Sequence, residues 1–233
     1  MGLDARLQQP CNLELLVQTP TRILAVRHGE TTWNRDGRIQ GYMDIDLNDR
    51  GRWQAERLAL ALCDEPIAAF YASDLSRARV TAQAVARFHG ATVQTHPALR
   101  ERGFGSFEGH TWAELEPRDP EGVAAWRRRE PAFAPPGGES LLQLHARVLA
   151  IVAELARRHT GEQVLVVAHG GVLDILYRAA TGLELQAPRT WAMTNTAVNR
   201  LAWSAGQLSL VRWADTDHLQ ATGDAQPLDE RAG

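Results

Sequence analysis

The sequence predicts an α/β fold, a layered sheet whose strands alternate with helices, and three observations carry that prediction. Two short apolar runs, residues 23–26 and 164–168, each run into a His-Gly step, the pattern of strands buried on both faces. Helical periodicity fills much of the intervening chain, most clearly over residues 140–159, where Leu141, Leu144, Val148, Val152 and Leu155 form one apolar stripe. Residues 201–204 and 208–213 then read as a hairpin around Ala205-Gly206, which adds an antiparallel edge to an alternating β-α pattern.

In chain order, residues 1–20 are an extension punctuated by Pro10 and Pro20, for which partial order is expected. The first strand ends in Arg27-His28-Gly29. Asn48 or Asp49 caps a helix that runs to about Cys63, with Ala55, Leu58, Ala59 and Leu62 on one face. Residues 67–72 form a second strand. Ser73 or Asp74 is the natural cap of the next helix, which stops at Gly90 and carries Arg77 in its first turn. A cation there opposes the helix dipole, which points to a ligand, although an exposed arginine is the plainer reading. Residues 92–95 make a short strand. The loop after it holds Glu101 between Arg100 and Arg102, which could equally be a surface ion pair.

Residues 109–139 have poor periodicity and five prolines, and read as an irregular cap; the Arg127-Arg128-Arg129 run within it reads as a solvated helix face. His145 has no assigned role. The second histidine strand follows, then a helix over residues 172–181 that ends at Gly182. Residues 221–233 read as a frayed tail. With no repeat or linker, the chain divides into the extension (1–20), one domain (21–220, with the 109–139 cap inserted) and the tail.

At 233 residues, 44% apolar and 23% charged, the chain has the profile of an ordinary globular protein with a large single core. A net charge of -3 gives no general pull toward nucleic acid or anionic membrane. Two cysteines without a Cys-x-x-Cys imply neither a disulfide framework nor a zinc site. There is no apolar run of signal or transmembrane type, and Arg6 stands where a myristoylation signal wants Ser or Thr. The expectation is a cytoplasmic protein without nucleic-acid or membrane partners. Oligomeric state is open, a homodimer being one option.

Arg27, His28, Arg77, Glu101 and His169 all fall at predicted strand ends, where ligands bind in open α/β sheets. Two guanidinium forks match phosphate oxygens, and Gly170 and Gly171 open a helix whose N–H groups favour an anion. A buried imidazole among cations has its pKa lowered, leaving His28 neutral and nucleophilic near about pH 7. In-line attack on phosphorus then gives a phosphohistidine, splitting one displacement into two. The fixed cations stabilise the transferring phosphoryl group, and Glu101 can protonate the departing alcohol and later deprotonate water. Divalent metal is not required, because the arginines supply the positive charge, and no cofactor is expected.

The motifs together resemble the histidine phosphatase superfamily, also called phosphoglycerate mutase-like. The matching residues are Arg27-His28-Gly29-Glu30 with Trp33-Asn34, Arg38-x-Gln40-Gly41, Asp46-Leu47, Tyr71-Ala72-Ser73-Asp74-Leu75-Ser76-Arg77-Ala78, Leu99-Arg100-Glu101, Gly105-x-Phe107-Glu108-Gly109, Gly137-Gly138-Glu139-Ser140 and Val167-Ala168-His169-Gly170-Gly171. They span residue 22 to about 213, nearly all of the chain beyond the extension. The resemblance implies a three-layer sandwich with a mixed, mostly parallel central sheet and helices on both faces. It implies His28 as nucleophile, Glu101 as proton donor, and Arg27, Arg77 and His169 as the phosphate pocket. Asn34, Gln40, Gly41 and Gly170 count with them as phosphate-binding positions.

Within such a family, mutases carry a His-Tyr-Gly continuation after the acid. Here Glu101 is followed by Arg102-Gly103-Phe104-Gly105-Ser106-Phe107-Glu108-Gly109, similar to the broad phosphatase branch. The expected activity is that of a histidine acid phosphatase-type monoesterase acting on a small phosphorylated metabolite. The alternatives are a phosphoglycerate mutase and a binding relative without turnover. An aspartate-based phosphatase using Asp44 and Asp46 is the weakest, because that pair follows a turn instead of an apolar strand.

Overall fold

The computed structural model describes residues 19–220; residues 1–18 of the expected extension and the 221–233 tail lie outside the described residues. The first strand, β1 (Thr21–Arg27), sends Ile23 and Ala25 to one face and Leu24 and Val26 to the other, as the two-residue period of a strand requires. A single-turn helix, α1 (Thr32–Arg35), follows, capped by reciprocal bonds between Thr31 and Asn34. The next helix, α2 (Asp49–Ala61), is capped by Asn48, whose side chain accepts from Gly51 N at 2.8 Å. Two glycines let its first turn lie directly on the loop after β1. A Cβ on Gly29 would stand 2.5 Å from the Gly51 carbonyl oxygen, and one on Gly51 would stand 2.0 Å from that of Glu30.

The second strand, β2 (Ala69–Ala72), is two residues shorter at its start than the sequence predicts. In the helix after it, α3 (Ser76–Ala86), the cap expectation is corrected: the residue at the cap position is Leu75, which has no capping side chain. Asp74 is instead paired with Arg100, and Asp44, from a distant loop, accepts from Ser76 N and Oγ at 2.7 and 2.8 Å. The cap is therefore tertiary, which a local reading cannot anticipate. A tight turn over Arg87–His89 ends the helix at Gly90, whose φ of 59° needs glycine.

After β3 (Val93–Thr95) the inserted cap holds two short helices, α4 (Trp112–Leu115) and α5 (Pro120–Arg127). Thr111 with Glu114 boxes the first, and Asp119 with Pro120 starts the second. Too short to show periodicity, they bury Leu115 and Val123 with Ile39 and Phe107 in a small separate core. The insert leaves and re-enters at one neck. Glu139 N donates to the Gly103 carbonyl at 2.7 Å and Ser106 N to the Pro136 carbonyl at 2.9 Å.

The longest helix, α6 (Leu141–Arg158), is capped by Ser140 and buries the predicted stripe. Each of those Leu and Val side chains contributes about 1.5–3 kcal/mol on full burial. Then come β4 (Gln163–Ala168), α7 (Gly170–Thr181), β5 (Val198–Ser204) and β6 (Gln207–Asp215). Ala205 and Gly206 join the last two strands with φ of 51° and 82°, the paired positive values of a tight hairpin turn.

The sheet order is β3-β2-β4-β1-β5-β6. The first four are mutually parallel, and β5 and β6 are antiparallel additions. Helices α6 and α7 cover one face and α2 and α3 the other, giving the three layers expected. Chain leaving β1 passes to one face and chain leaving β4 to the other, so the carboxyl ends of these neighbours form a topological switch point. Among the described residues no helix is long and apolar enough to cross a membrane.

Candidate active site

The β1–β4 register pairs Arg27 with Ala168, and His28 N continues the ladder to the Ala168 carbonyl at 3.0 Å. The next residue on each strand is therefore a histidine beside a histidine. The His28 and His169 rings lie 5.1 Å apart between centroids, tilted by 58°. Residues 28 and 169 thus converge as the sequence predicts, although they are 141 positions apart.

The His28 ring has a fixed tautomer. Its Nδ1 lies 2.7 Å from the Gly29 carbonyl, which can only accept. The proton therefore sits on Nδ1, and Nε2 carries the lone pair. Burial, then the charges of Arg77 and Arg27, hold the His28 pKa well below the ordinary imidazole value. Burial and then Arg77 do the same to His169. Both ring nitrogens of His169 are buried and have no hydrogen-bond partner among the described residues. Such orphaned groups cost about 1–3 kcal/mol each, a debt that an incoming oxyanion or hydroxyl can discharge.

This electrostatic state makes stability depend on pH. The folded state holds both imidazoles neutral, whereas the unfolded chain protonates them near about pH 6.5. Stability is fully present above that value and is lost as pH falls toward the depressed folded values. With two groups the loss reaches at most about 2.7 kcal/mol per pH unit. Thermal melts from about pH 8 to about pH 5 should show it, together with the same-signed contribution of His218, whose pKa burial also lowers, and His169→Asn should make the slope shallower.

Arg27 is buried, and its Nη1 donates to the Met193 carbonyl. Arg77 is fully buried in the first turn of α3. It donates from Nη1 to the Met43 carbonyl at 2.7 Å and from Nη2 to the Gly41 carbonyl at 2.8 Å, and its Nε makes no hydrogen bond among the described residues. Burial brings its pKa down to about 10, still charged at neutral pH. Gly41 thus serves as the carbonyl that aims Arg77, and its φ of 50° and a close contact with Glu108 require glycine. Gln40 and Asn34 converge on Thr31. The Thr31 hydroxyl lies 3.0 Å from Gln40 Oε1 and 3.2 Å from Asn34 Oδ1.

Glu101 reaches the opening of α7. Its Oε1 accepts from Arg102 N at 2.8 Å and from Gly171 N at 2.9 Å. This corrects one expectation: the Gly171 amide at the helix N-terminus is taken by Glu101. Gly170 lies beside it on the cavity wall. A Cβ on Gly171 would sit 2.3 Å from Glu101 Oε1, so the approach needs glycine. Arg147 on α6 holds the backbone of the acid's loop. It donates to the carbonyls of Ala98, Arg100 and Glu101 and pairs with Glu139 at 2.6 Å.

A cavity of about 170 Å³ lies beside this site, with Arg27 and Glu101 among its lining residues. Neither imidazole lines it, whereas the Glu101 carboxylate does. Arg102 and Trp126 form one wall, with the guanidinium 4.2 Å from the ring centroid. Burial brings the Arg102 pKa down to about 10. Arg127 and Arg128 pair at the surface with Glu116 and Glu130, as expected of a solvated face. Arg129 departs from that reading: it adopts a φ of 52°, turns inward, lines the cavity and pairs with Asp174.

Sequence reasoning also missed Arg102, Asp174, Arg189 and Asn195. The Asn195 side chain holds the His28 carbonyl at 2.7 Å while Thr196 N holds that of Arg27 at 2.9 Å. Asp174 had a readable signal, since it is a lone carboxylate inside the apolar run Val172-Leu173-Asp174-Ile175-Leu176.

Comparison with known proteins agrees with this geometry. The model of the histidine phosphatase superfamily (branch 1) matches residues 23–216. Phosphoglycerate mutase-like protein 4 of Arabidopsis thaliana is 39% identical over 208 residues, 88% of this chain and 89% of the relative. A metal-independent phosphoserine phosphatase, also of Arabidopsis thaliana, is 39% identical over 211 residues, 88% of this chain and 86% of the relative. Among solved structures, Bacillus stearothermophilus YhfR superposes with a TM-score of 0.81 at 32% identity, covering 86% of this chain and all of that one. Paired imidazoles at the switch point of a sheet with this strand order, and a family match that spans nearly every described element, have one common explanation: the chain belongs to the histidine phosphatase superfamily.

Proposed function

We propose that this protein hydrolyses a small phosphorylated metabolite through a phosphohistidine on His28. The observation that supports the reading best is the His28 ring, neutral, with Nδ1 tied to Gly29 and the Nε2 lone pair left beside His169 and two arginines. The Nε2 lone pair attacks phosphorus and the ester P–O bond breaks. Glu101 gives its proton to the departing alkoxide. Water then attacks the phosphoryl group, Glu101 takes the water's proton, and the P–N bond breaks, restoring His28. Arg27, Arg77 and His169 bind the equatorial oxygens throughout in this reading.

The phosphoserine phosphatase relative makes O-phosphoserine the first substrate to try. The mutase-like relative keeps a second reading in view, in which the phosphoenzyme returns its phosphoryl group to a glycerate and not to water. Acid and base stability of the trapped intermediate tests the shared step. Protein quenched during turnover of labelled substrate should carry phosphate that survives base and is released by acid. Base-labile, acid-stable label would place the bond on a serine or a carboxylate and sink the reading. Release to added glycerate in preference to water would favour the mutase.

A further inference from the structure

Resting on the reading of His28 as the nucleophile, we infer that Thr81 and Asn195 are positioning residues for phosphoryl transfer. Together they clamp the peptide bond between His28 and Gly29 and so fix the direction of the His28 Nε2 lone pair.

The need for a clamp starts with Gly29. Its place admits no side chain, because a Cβ would stand 2.5 Å from the Gly51 carbonyl oxygen. A glycine rotates about its backbone bonds more freely than any other residue. Yet the Gly29 carbonyl is the group that holds His28 Nδ1, at 2.7 Å, and so selects the tautomer. Rotation at Gly29 would release the ring and let the proton move to Nε2, where it abolishes the lone pair. Both poles of the preceding peptide are held by side chains. Asn195 Nδ2 donates to the His28 carbonyl at 2.7 Å, and Gly29 N donates to Thr81 Oγ1 at 3.0 Å. These side chains reach their partners across 167 and 52 positions of the chain.

Each jaw of the clamp is itself fixed. Thr81 is fully buried on α3, and its hydroxyl proton goes to the Arg77 carbonyl at 2.7 Å. A threonine within a helix often bonds the carbonyl four residues back. Here the same oxygen also receives the Gly29 amide, so one hydroxyl joins the backbone of the nucleophile to that of Arg77. Asn195 sits in a turn closed by Ala197 N on the Thr194 carbonyl at 3.2 Å. The next residue, Thr196, has a φ of 57°, a costly value for a β-branched side chain. Its hydroxyl holds it there by donating to the Asn195 carbonyl at 2.8 Å. Thr196 N donates to the Arg27 carbonyl, and β5 pairs with β1 as far as Val26, so backbone bonds alone already join these segments. What the Asn195 side chain adds is direction at residue 28. Thr81 and Asn195 are both buried and neither lines the cavity, so they act on the reaction through His28.

Three variants of the full chain test the clamp: Thr81→Val, which keeps the shape and loses the hydroxyl, Thr81→Ser, which keeps the hydroxyl, and Asn195→Ala. In rapid mixing with 4-nitrophenyl phosphate, Thr81→Val and Asn195→Ala should each slow phosphorylation of His28 by about 10- to 100-fold, the scale of a misplaced reacting group. Thr81→Ser should stay within about 3-fold of wild type, because its hydroxyl can make the same two bonds. Inorganic phosphate, titrated calorimetrically, should bind wild type and all three variants within about 3-fold, because the Arg77 fork is held by Met43 and Gly41 and not by the clamp. Imidazole nitrogen NMR, with the His28 signals assigned by their absence from His28→Ala, should show the proton on Nδ1 alone in wild type. In Thr81→Val and Asn195→Ala it should show a mixture of tautomers. Phosphorylation near the wild-type rate in both of those variants, or an equal loss in Thr81→Ser, overturns the clamp. So does phosphate affinity that falls in step with the rate, which marks a collapsed site. The NMR reading needs no turnover, so an unmixed Nδ1–H signal in both variants overturns the clamp even where no phosphohistidine forms. Absence of phosphohistidine from wild type counts against the phosphatase reading alone. If Asn195→Ala does not fold, the two Thr81 variants decide.

Discussion

His28→Ala should abolish turnover of every phosphomonoester while the protein stays folded. The substitution removes the only atom proposed to bond phosphorus. The two backbone bonds that seat the residue, His28 N to Ala168 and the His28 carbonyl to Asn195, do not involve the ring. The lost side-chain bond runs only to the adjacent Gly29 carbonyl. A fall of more than about 10⁴-fold in kcat is the scale seen when one member of a covalent catalytic unit is removed. The melting temperature should move by no more than a few degrees, because the ring is a buried polar group whose burial is itself costly. Steady-state kinetics on purified protein, with a thermal melt alongside, checks both halves. Activity near wild type would require another nucleophile and end the assignment.

Glu101→Gln should separate the two chemical steps. Glutamine keeps an oxygen to accept from Arg102 N and Gly171 N, so the shape of the site is preserved. It cannot deliver a proton to an alkoxide or take one from water. With an alkyl phosphate the loss should be about 10²–10⁴-fold, the usual worth of a positioned acid or base. With 4-nitrophenyl phosphate, whose leaving group needs no proton, phosphorylation of His28 should be largely spared while attack by water stays slow. Rapid mixing should then show a burst of nitrophenolate followed by a slow steady rate. Equal losses for both substrates without a burst would mean that Glu101 only holds the loop.

What could be read from the sequence follows physical range. The strands 23–26 and 164–168 were legible because a strand buried on both faces is apolar throughout, and the α6 stripe because a long amphipathic helix repeats its period. The paired histidines were legible because each closes such a strand. Arg77 and Glu101 rested on helix-dipole and loop arguments that left an ordinary surface role open, and it was the resemblance that singled them out. The parts that escaped depend on contacts across long separations. Asp44 caps α3 from 32 residues away, and Arg129 meets Asp174 across 45. The cap helices are too short to show a period, and their core is assembled with Ile39 from the far side of the sequence. Gly171 looked like an anion-binding amide and is one, but the anion it holds is the protein's own carboxylate.

The neck at Gly103 and Glu139 has an evolutionary consequence. The excursion departs and returns through a single fastened point, with Arg102 stitched to the Phe133 and Glu139 carbonyls and Arg147 bracing the acid's loop from beneath. Whatever is grafted above that clasp changes the cap's side of the cavity and leaves Glu101, the proposed proton carrier, where it stands. Lengthening such an excursion is thermodynamically cheap, about 0.6 kcal/mol for each doubling. A lineage can therefore trade one metabolite for another by rewriting the insert alone, with the phosphoryl chemistry inherited unaltered.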